Sequence, residues 1–553
     1  MQTELRIVHF NDIYHLPSTD LLSRFTRIQQ SFLGSIAGLT IFSGDAFSPS
    51  LEASVLKGAH MGPVLDYVGV DLACYGNHDF DFGNDRLVEL SSHLRFPWVL
   101  SNAHHAGEKD RLLACAQESV TWTVDGVKIG FFGLAGTDWP SNCENLPLST
   151  VLPPVETAQR LAHRLRTHEG CDVVIAVTHM RLAEDMQVMQ ATISGESRVD
   201  LLLGGHDHEV VRRYGHDTET KPEVIEQGRA NEEIVYRGRV DSCRGDIRIV
   251  KSGTDWRGLS LVRMLVDKTD GVVSVSTQLT QYTDIQTAIE PISPAPEEKV
   301  MLTTIHDQVG ALVQEPVLHC AVPLDGRSTV VRSQETNLGN MLADAVRAFY
   351  QTDIAFFNSG AIRCDRIIDQ TVSGKPLLVR DIINICPFEN TLLVKRISGK
   401  TLYQALENSI SDMHTDGRFL QVSGLRIRAT WQRQQGSRVL DVFLDRDDTR
   451  INPQGMYTVA LAGFIAQGFD GYTWFPKEET LVGAEAAMTD TGLMLQVFEH
   501  GEPVQGNSVH DMGIERARRA VVSGRVDGFP VVSPVVDGRI QFVEIHIDGL
   551  DRH

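Results

Sequence analysis

Five short β-branched or apolar runs in the first half of the chain, Leu5–Phe10, Leu39–Ser43, Asp71–Tyr75, Asp172–Thr178 and Val199–Leu203, each lead into a turn carrying acidic, amide or imidazole side chains. No other feature constrains the fold as strongly. The turns read Asn11-Asp12, Gly44-Asp45, Gly76-Asn77-His78-Asp79, Thr178-His179 and Gly204-Gly205-His206-Asp207-His208. Longer amphipathic stretches separate the runs, together with a further run at Lys128–Leu134, which is the pattern of strands crossed by helices. Polar residues at the carboxyl ends of several strands of an open α/β sheet converge in space. The first half is therefore expected to fold as α/β and to hold one site.

The pattern breaks at Glu290–Pro296, where three prolines fall within six residues and neither a helix nor a central strand can continue. We place a linker and connecting helix at 291–320, between a catalytic domain at 1–290 and a second domain at 321–525; residues 526–553 read as an extension of unassigned role. Ser333–Asn337 offers helix caps, and Leu338, Met341, Leu342, Ala345, Val346 and Phe349 then recur at helical spacing, predicting a helix with one buried stripe.

The net charge of −21 over 553 residues argues against a nucleic-acid polymer or an anionic membrane as partner. It leaves room for a small phosphate ester if a cation reverses the local field. The 8 cysteines are scattered without a C-x-x-C pair, so neither a thiolate zinc site nor a disulfide framework is expected. With no basic-then-apolar leader after Met1, a cytoplasmic location is expected. The oligomeric state is not legible.

Grouped by type, the turn residues are carboxylates, an amide oxygen and imidazoles without sulfur. Such a set suits borderline or hard divalent ions, Mn, Co, Zn, Fe or Mg. Two ions fit better than one, because a carboxylate such as Asp45 can bridge a pair that polarises a phosphoryl group and activates water.

In order and spacing these turns resemble the signature of the binuclear metallophosphoesterases, whose catalytic domain is a four-layer αββα sandwich. The resemblance implies that Asp12, Asp45 and His208 bind one metal, and that Asp45, Asn77, His179 and His206 bind the second. It implies further that His78, oriented by Asp81, acts on the substrate phosphoryl group. The commonest form of the first turn is Asp-x-His, whereas this chain has Asp12-Ile13-Tyr14-His15. Either Tyr14 or His15 is then a candidate contact to the first metal, with Tyr14 otherwise lying just behind the ligands.

The second half resembles the α+β C-terminal domain of 5′-nucleotidases through Glu335–Asn340, Asn358–Arg363, Pro387-Phe388, Gly417–Gly424 and Gly468–Tyr472. By motif position, Phe419 and Tyr472 are expected to clamp a base, with Arg363 and Asn358 contacting the base, the sugar or the acid end of a nucleotide. Two departures are Gln334 in place of an arginine, with Arg332 two residues earlier, and Phe469 in place of a glycine. The expected activity is hydrolysis of nucleoside 5′-monophosphates with two divalent ions. The alternatives are a phosphodiesterase on cyclic nucleotides or nucleotide sugars, a phosphosugar phosphatase, and a nucleotide-binding protein with a decayed metal site.

Overall fold

The runs that end in polar turns are strands. Gln2–Phe10, Gly38–Ser43, Leu72–Cys74 and Trp98–Val99 lie parallel in one sheet, whose other flank is the antiparallel set Leu259–Thr269, Val272–Tyr282 and Val240–Gly245. A second sheet places Val127–Ala135, Val173–His179, Leu201–Gly204 and Ile247–Ser252 in parallel, with antiparallel edges at Ser119–Val124 and Val210–Tyr214. The computed structural model describes residues 2–544 apart from 35–37, 109, 144, 223–239, 270–271, 372, 412–416 and 500–507.

Alternation along the Val173–His179 strand shows how these sheets are covered. Val173, Ile175 and Val177 pack into the core that holds Ile7, Ile41 and Leu72 of the first sheet. Val174 and Ala176 face the other way, toward Leu161 and Ala162 of the helix Pro154–Thr167 and Met186 of the helix Leu182–Ala191. Parallel strands buried on both faces need this continuous apolar character, and each such side chain contributes roughly 1.5–3 kcal/mol. The helix Thr19–Leu33 buries Leu22, Phe25 and Ile28 against the same core as the first sheet. The layers are αββα, as expected.

The chain divides at Val309/Gly310 into two compact units, within the helix Pro296–Leu312 that follows the proline-rich stretch. In the second unit, the five-stranded sheet contains Ile354–Asn358, Leu392–Ser398, Leu420–Ser423, Met456–Ala462 and Glu479–Val482. The helix Asn337–Tyr350 starts at Thr336, whose side chain accepts from the Gly339 amide, and the whole predicted stripe from Leu338 to Phe349 is buried. The segment read as an extension is part of this unit's structure as far as 544. Phe529–Val532 pairs with Pro316–Cys320 and Val522–Val526, and Ile540–Phe542 joins Leu425–Ala429. The buried Glu335 carboxylate holds it by accepting from the amides of Asp537, Gly538 and Ile540; residues 545–553 lie outside the described set.

Candidate metal centre and nucleotide cavity

Each of the five turns leaves the carboxyl end of a parallel strand of the first unit, and their side chains meet at one buried spot. Asp12, Asp45 and His179 each bring a ligand atom within 4.8 Å of the others. His179 Nε2 is 3.1 Å from Asp45 Oδ2 and 3.1 Å from Asn77 Oδ1. His206 Nδ1 is 2.9 Å from the same Asn77 oxygen, and His208 Nε2 is 3.4 Å from Asp12 Oδ1. His78 lies beside them with its amide donating to Asp45 Oδ1 at 2.8 Å and its Nδ1 2.9 Å from Asp81 Oδ2.

The backbone had to be bent to achieve this. Asp12, Asp45, His206 and His208 all have positive φ, 54°, 64°, 81° and 61°, a region that non-glycine residues seldom occupy and that clusters at functional sites. Glycines allow the loops to close on one another: a Cβ on Gly76 would stand 2.1 Å from Asp45 Oδ1, and one on Gly205 2.4 Å from the Ser43 carbonyl oxygen.

The donor chemistry fits a cation. His179 Nδ1 faces the Ser43 carbonyl at 2.7 Å and must donate to it, so Nε2 turns its lone pair toward two oxygens. Only a cation between them makes that arrangement favourable. With a proton in that role, burial disfavours the charge but Asp45 and Asp12 outweigh it and push His179 up to about 10. Asp12 moves the opposite way: burial alone would raise it, and the facing His179 and His208 hold it well below the usual carboxylate range. A metal ion held by these residues would take the place of that proton.

Three residues support the site without having been given a role from sequence. Asp138 follows the Val127–Ala135 strand and lies 3.2 Å from His206 Nε2, leaving Nδ1 directed at the Asn77 oxygen; carboxylate–imidazole pairs of this kind fix the tautomer of metal-binding histidines. Burial works against the Asp138 charge, but His206 and Arg181 hold its carboxyl down to about 2. Lys251, itself buried, reaches Asp207 at 2.5 Å and Asp185 at 2.7 Å and donates to the carbonyls of Met180 and Gly205. Asp185 in turn accepts from Thr178, so one ammonium ties the His179 turn to the His206–His208 turn. Asp79, part of a motif but given no role from sequence, accepts from the amides of Asp45, Ala46 and Gly76 and joins two more turns. Of the two candidates in the first turn, Tyr14 is buried among these side chains, whereas His15 is exposed and faces Asp255 at 3.2 Å.

In the second unit a cavity of about 630 Å³ is lined by Arg332, Asn358, Arg363, Phe388, Phe464 and Asp470, among others. Asn358 is buried and its Oδ1 has no hydrogen-bond partner among the described residues, a deficit that a ligand donor would repair. Arg363 lies over the Phe388 ring at 4.9 Å. Phe464 stacks on Phe469 with centroids 4.9 Å apart, and these two and Phe388 are 40%, 54% and 55% exposed.

The expected clamp is therefore corrected. Phe419 and Tyr472 are 1% and 0% exposed and belong to the core. Tyr472 stacks on Phe475 and donates its hydroxyl to the Arg418 carbonyl at 2.6 Å. A base clamp needs open ring faces, and here the open rings are Phe388, Phe464 and Phe469. Gln334 is exposed, and Arg332 is the arginine of this segment that lines the cavity.

The 5′-nucleotidase C-terminal domain model matches residues 316–477, which contain every wall of this cavity named above. The chain is 22% identical to a 5′-nucleotidase of Diplobatis ommata over 98% of its own length and 90% of that protein. The second half of the chain is thus similar to the C-terminal domain of 5′-nucleotidases. The chain is also 27% identical to the trifunctional nucleotide phosphoesterase protein YfkN of Bacillus subtilis over 86% of this chain, and it spans about a third (32%) of YfkN's length. The fold matches that of Haemophilus influenzae NAD nucleotidase, with a TM-score of 0.69 at 17% identity and coverage of 98% and 99%. The donor set at the first unit's centre, Asp12, Asp45 and His179 among it, suits a divalent metal.

Proposed function

We propose that this chain is a metal-dependent phosphoric monoester hydrolase that converts nucleoside 5′-monophosphates to nucleoside and phosphate, using two divalent ions drawn from Mn, Co, Zn, Fe or Mg. The observation that carries the reading is the convergence of Asp12, Asp45, Asn77, His179, His206 and His208 on one spot, with imidazole lone pairs facing oxygens. When bound, the ions supply Lewis-acid polarisation of the phosphoryl oxygens and a lowered pKa for the attacking water. Asp12, Asp45 and His208 would hold one, and Asp45, Asn77, His179 and His206 the other.

The chain's own residues supply the rest. With its Nδ1 committed to Asp81, His78 acts on the substrate through Nε2; the carboxylate favours imidazolium, the form that donates to an anionic phosphoryl oxygen. Asn358 and Arg363 offer an acceptor and a cation to the nucleoside part. Phe388 and Phe464 offer ring faces to a base, worth about 1–3 kcal/mol per stacked base.

The test is a panel assay of purified protein loaded with Mn or Co on AMP, a cyclic nucleotide, a nucleotide sugar, a sugar phosphate and p-nitrophenyl phosphate. AMP is expected to give the highest kcat/KM, and no hydrolysis of any ester would sink the reading. A second reading, cleavage of diesters as well as monoesters, draws support from the relative whose name is trifunctional nucleotide phosphoesterase; faster turnover of the cyclic nucleotide than of AMP would promote it. A non-enzymatic role requires a decayed metal site, against which the assembled donors stand. Among the described residues no helix is long and apolar enough to cross a membrane. A cytoplasmic location remains part of the proposal, resting on the cysteine pattern and tested by fractionation.

A further inference from the structure

We propose that Tyr14 is itself a ligand of the cation held by Asp12, Asp45 and His208, supplying an anionic phenolate oxygen that makes this position selective for a hard ion such as manganous ion over zinc. The inference rests on the two-metal reading above. Its basis is where the hydroxyl stands. The oxygen is 3.1 Å from Asp12 Oδ1, 3.3 Å from Asp45 Oδ2 and 2.5 Å from His208 Nε2. Those are donor atoms from the three residues assigned to one ion. A phenol has one hydrogen to give, so it cannot donate to both carboxylate oxygens; at least one lone pair must face another across a short gap. A cation among the four groups removes that conflict.

The ring is held for the purpose. Tyr14 is 7% exposed, and its amide donates to Asp255 Oδ1 at 3.0 Å. The phenol meets His208 and His78 edge-on, at centroid distances of 5.3 and 5.8 Å. His15, the imidazole of the turn, is exposed and faces Asp255. The shell that results has three oxygen donors, from Asp12, Asp45 and Tyr14, and one nitrogen, from His208. The second position has two imidazoles, His179 and His206. Oxygen-rich anionic shells favour hard ions, whereas imidazole suits zinc, so the two positions differ in the ion they prefer. On ligation the oxygen–metal bond forms as the O–H bond breaks, and the proton leaves to solvent, so metal uptake at this position releases a proton.

The test is spectroscopic. Full-length protein is freed of metal and loaded with ferric ion as its nitrilotriacetate complex, and bound iron is counted by elemental analysis. A tyrosinate-to-iron charge-transfer band in the visible is expected for the unaltered chain and should be absent from Tyr14→Phe. Tyr14→His, which restores a neutral nitrogen donor, should lack the band and bind zinc at this position roughly 10-fold tighter than the unaltered chain. Far-UV circular dichroism confirms that both variants are folded. Iron bound without a visible band, or a band that persists in Tyr14→Phe, overturns the assignment while leaving the metal reading intact. If the unaltered chain takes up none of Fe, Mn or Zn, the two-metal reading itself falls, and this assignment with it.

Discussion

The metal centre of the first unit and the cavity of the second were approached by the same route, from motifs in sequence, and the structure treats them differently. All six expected metal-binding residues, with His78 and Asp81, lie together. Of the four residues expected to contact a nucleotide, Asn358 and Arg363 line the cavity and Phe419 and Tyr472 are packed into the core. The difference is one of chemistry. A buried carboxylate facing a histidine has few structural reasons to exist, so its type betrays its role. A phenyl ring serves a core and a binding face equally well, and only its exposure tells which.

The sharpest way to test the metal side is Asp45→Asn. Asp45 is the only residue assigned to both ions, so turnover should fall by ~10³-fold or more, equivalent to ~4 kcal/mol, with the far-UV spectrum unchanged. Retained activity would remove Asp45 from its bridging place. Next comes Lys251→Met, which leaves Asp185 and Asp207 buried without their cation. Thermal unfolding should show a loss of about 3–5 kcal/mol, and equilibrium dialysis a metal affinity lowered about 10–100-fold. Unchanged metal affinity in a destabilised protein would make Lys251 a structural residue only.

The aromatic side of the comparison is broken or kept by a pair of variants. Phe419→Ala should cost about 3–5 kcal/mol of stability as a core truncation. Phe388→Ala should leave stability nearly unchanged and raise KM for AMP about 10-fold, from ~1–2 kcal/mol of lost stacking. The reverse pattern would reinstate the clamp expected from sequence.

The smallest effect is on pH dependence. His9 is buried between the hydroxyls of Ser43 and Ser252, and burial lowers its pKa to about 3 despite the nearby Asp12 carboxylate. The unfolded chain therefore binds more protons than the fold between pH 6.5 and 3, so this contribution is complete above pH 6.5 and declines as pH falls, by roughly 1.4 kcal/mol per pH unit. Chemical denaturation of the unaltered chain and His9→Gln at pH 7.5 and 5.5 should show the gap between them narrowing at the lower pH; a gap that stays constant would place the His9 titration elsewhere.

Local signals made most of the architecture legible. Apolar runs bounded by polar turns marked the strands that carry the expected metal-binding residues, and the spacing of Leu338 to Phe349 marked a buried helix face. What sequence could not show was long-range. Asp138 belongs to no motif and gains its meaning only from His206 beside it. Lys251 sits in an ordinary strand and matters because Asp185 and Asp207 converge on it. The segment beyond residue 525 looked appended because its anchor, Glu335, is some 200 residues away in the chain. Phe464 is a lone aromatic in an apolar stretch, and nothing local distinguishes it from a core residue.

The positive φ angles at Asp12, Asp45, His206 and His208 bear on how such a site can change over generations. Each holds a non-glycine residue where a left-handed backbone costs roughly 1–2 kcal/mol, and β-branched side chains are shut out almost entirely. Asn77, at φ −67°, and His179, at the end of a strand, sit on ordinary backbone, where most side chains are conformationally admissible. Drift in ion preference is therefore expected to enter through Asn77, His179 and the neighbouring Tyr14, with the four left-handed positions staying fixed. A mutational library restricted to those three permissive sites should yield more folded variants with altered metal choice than one of equal size spread over the strained four.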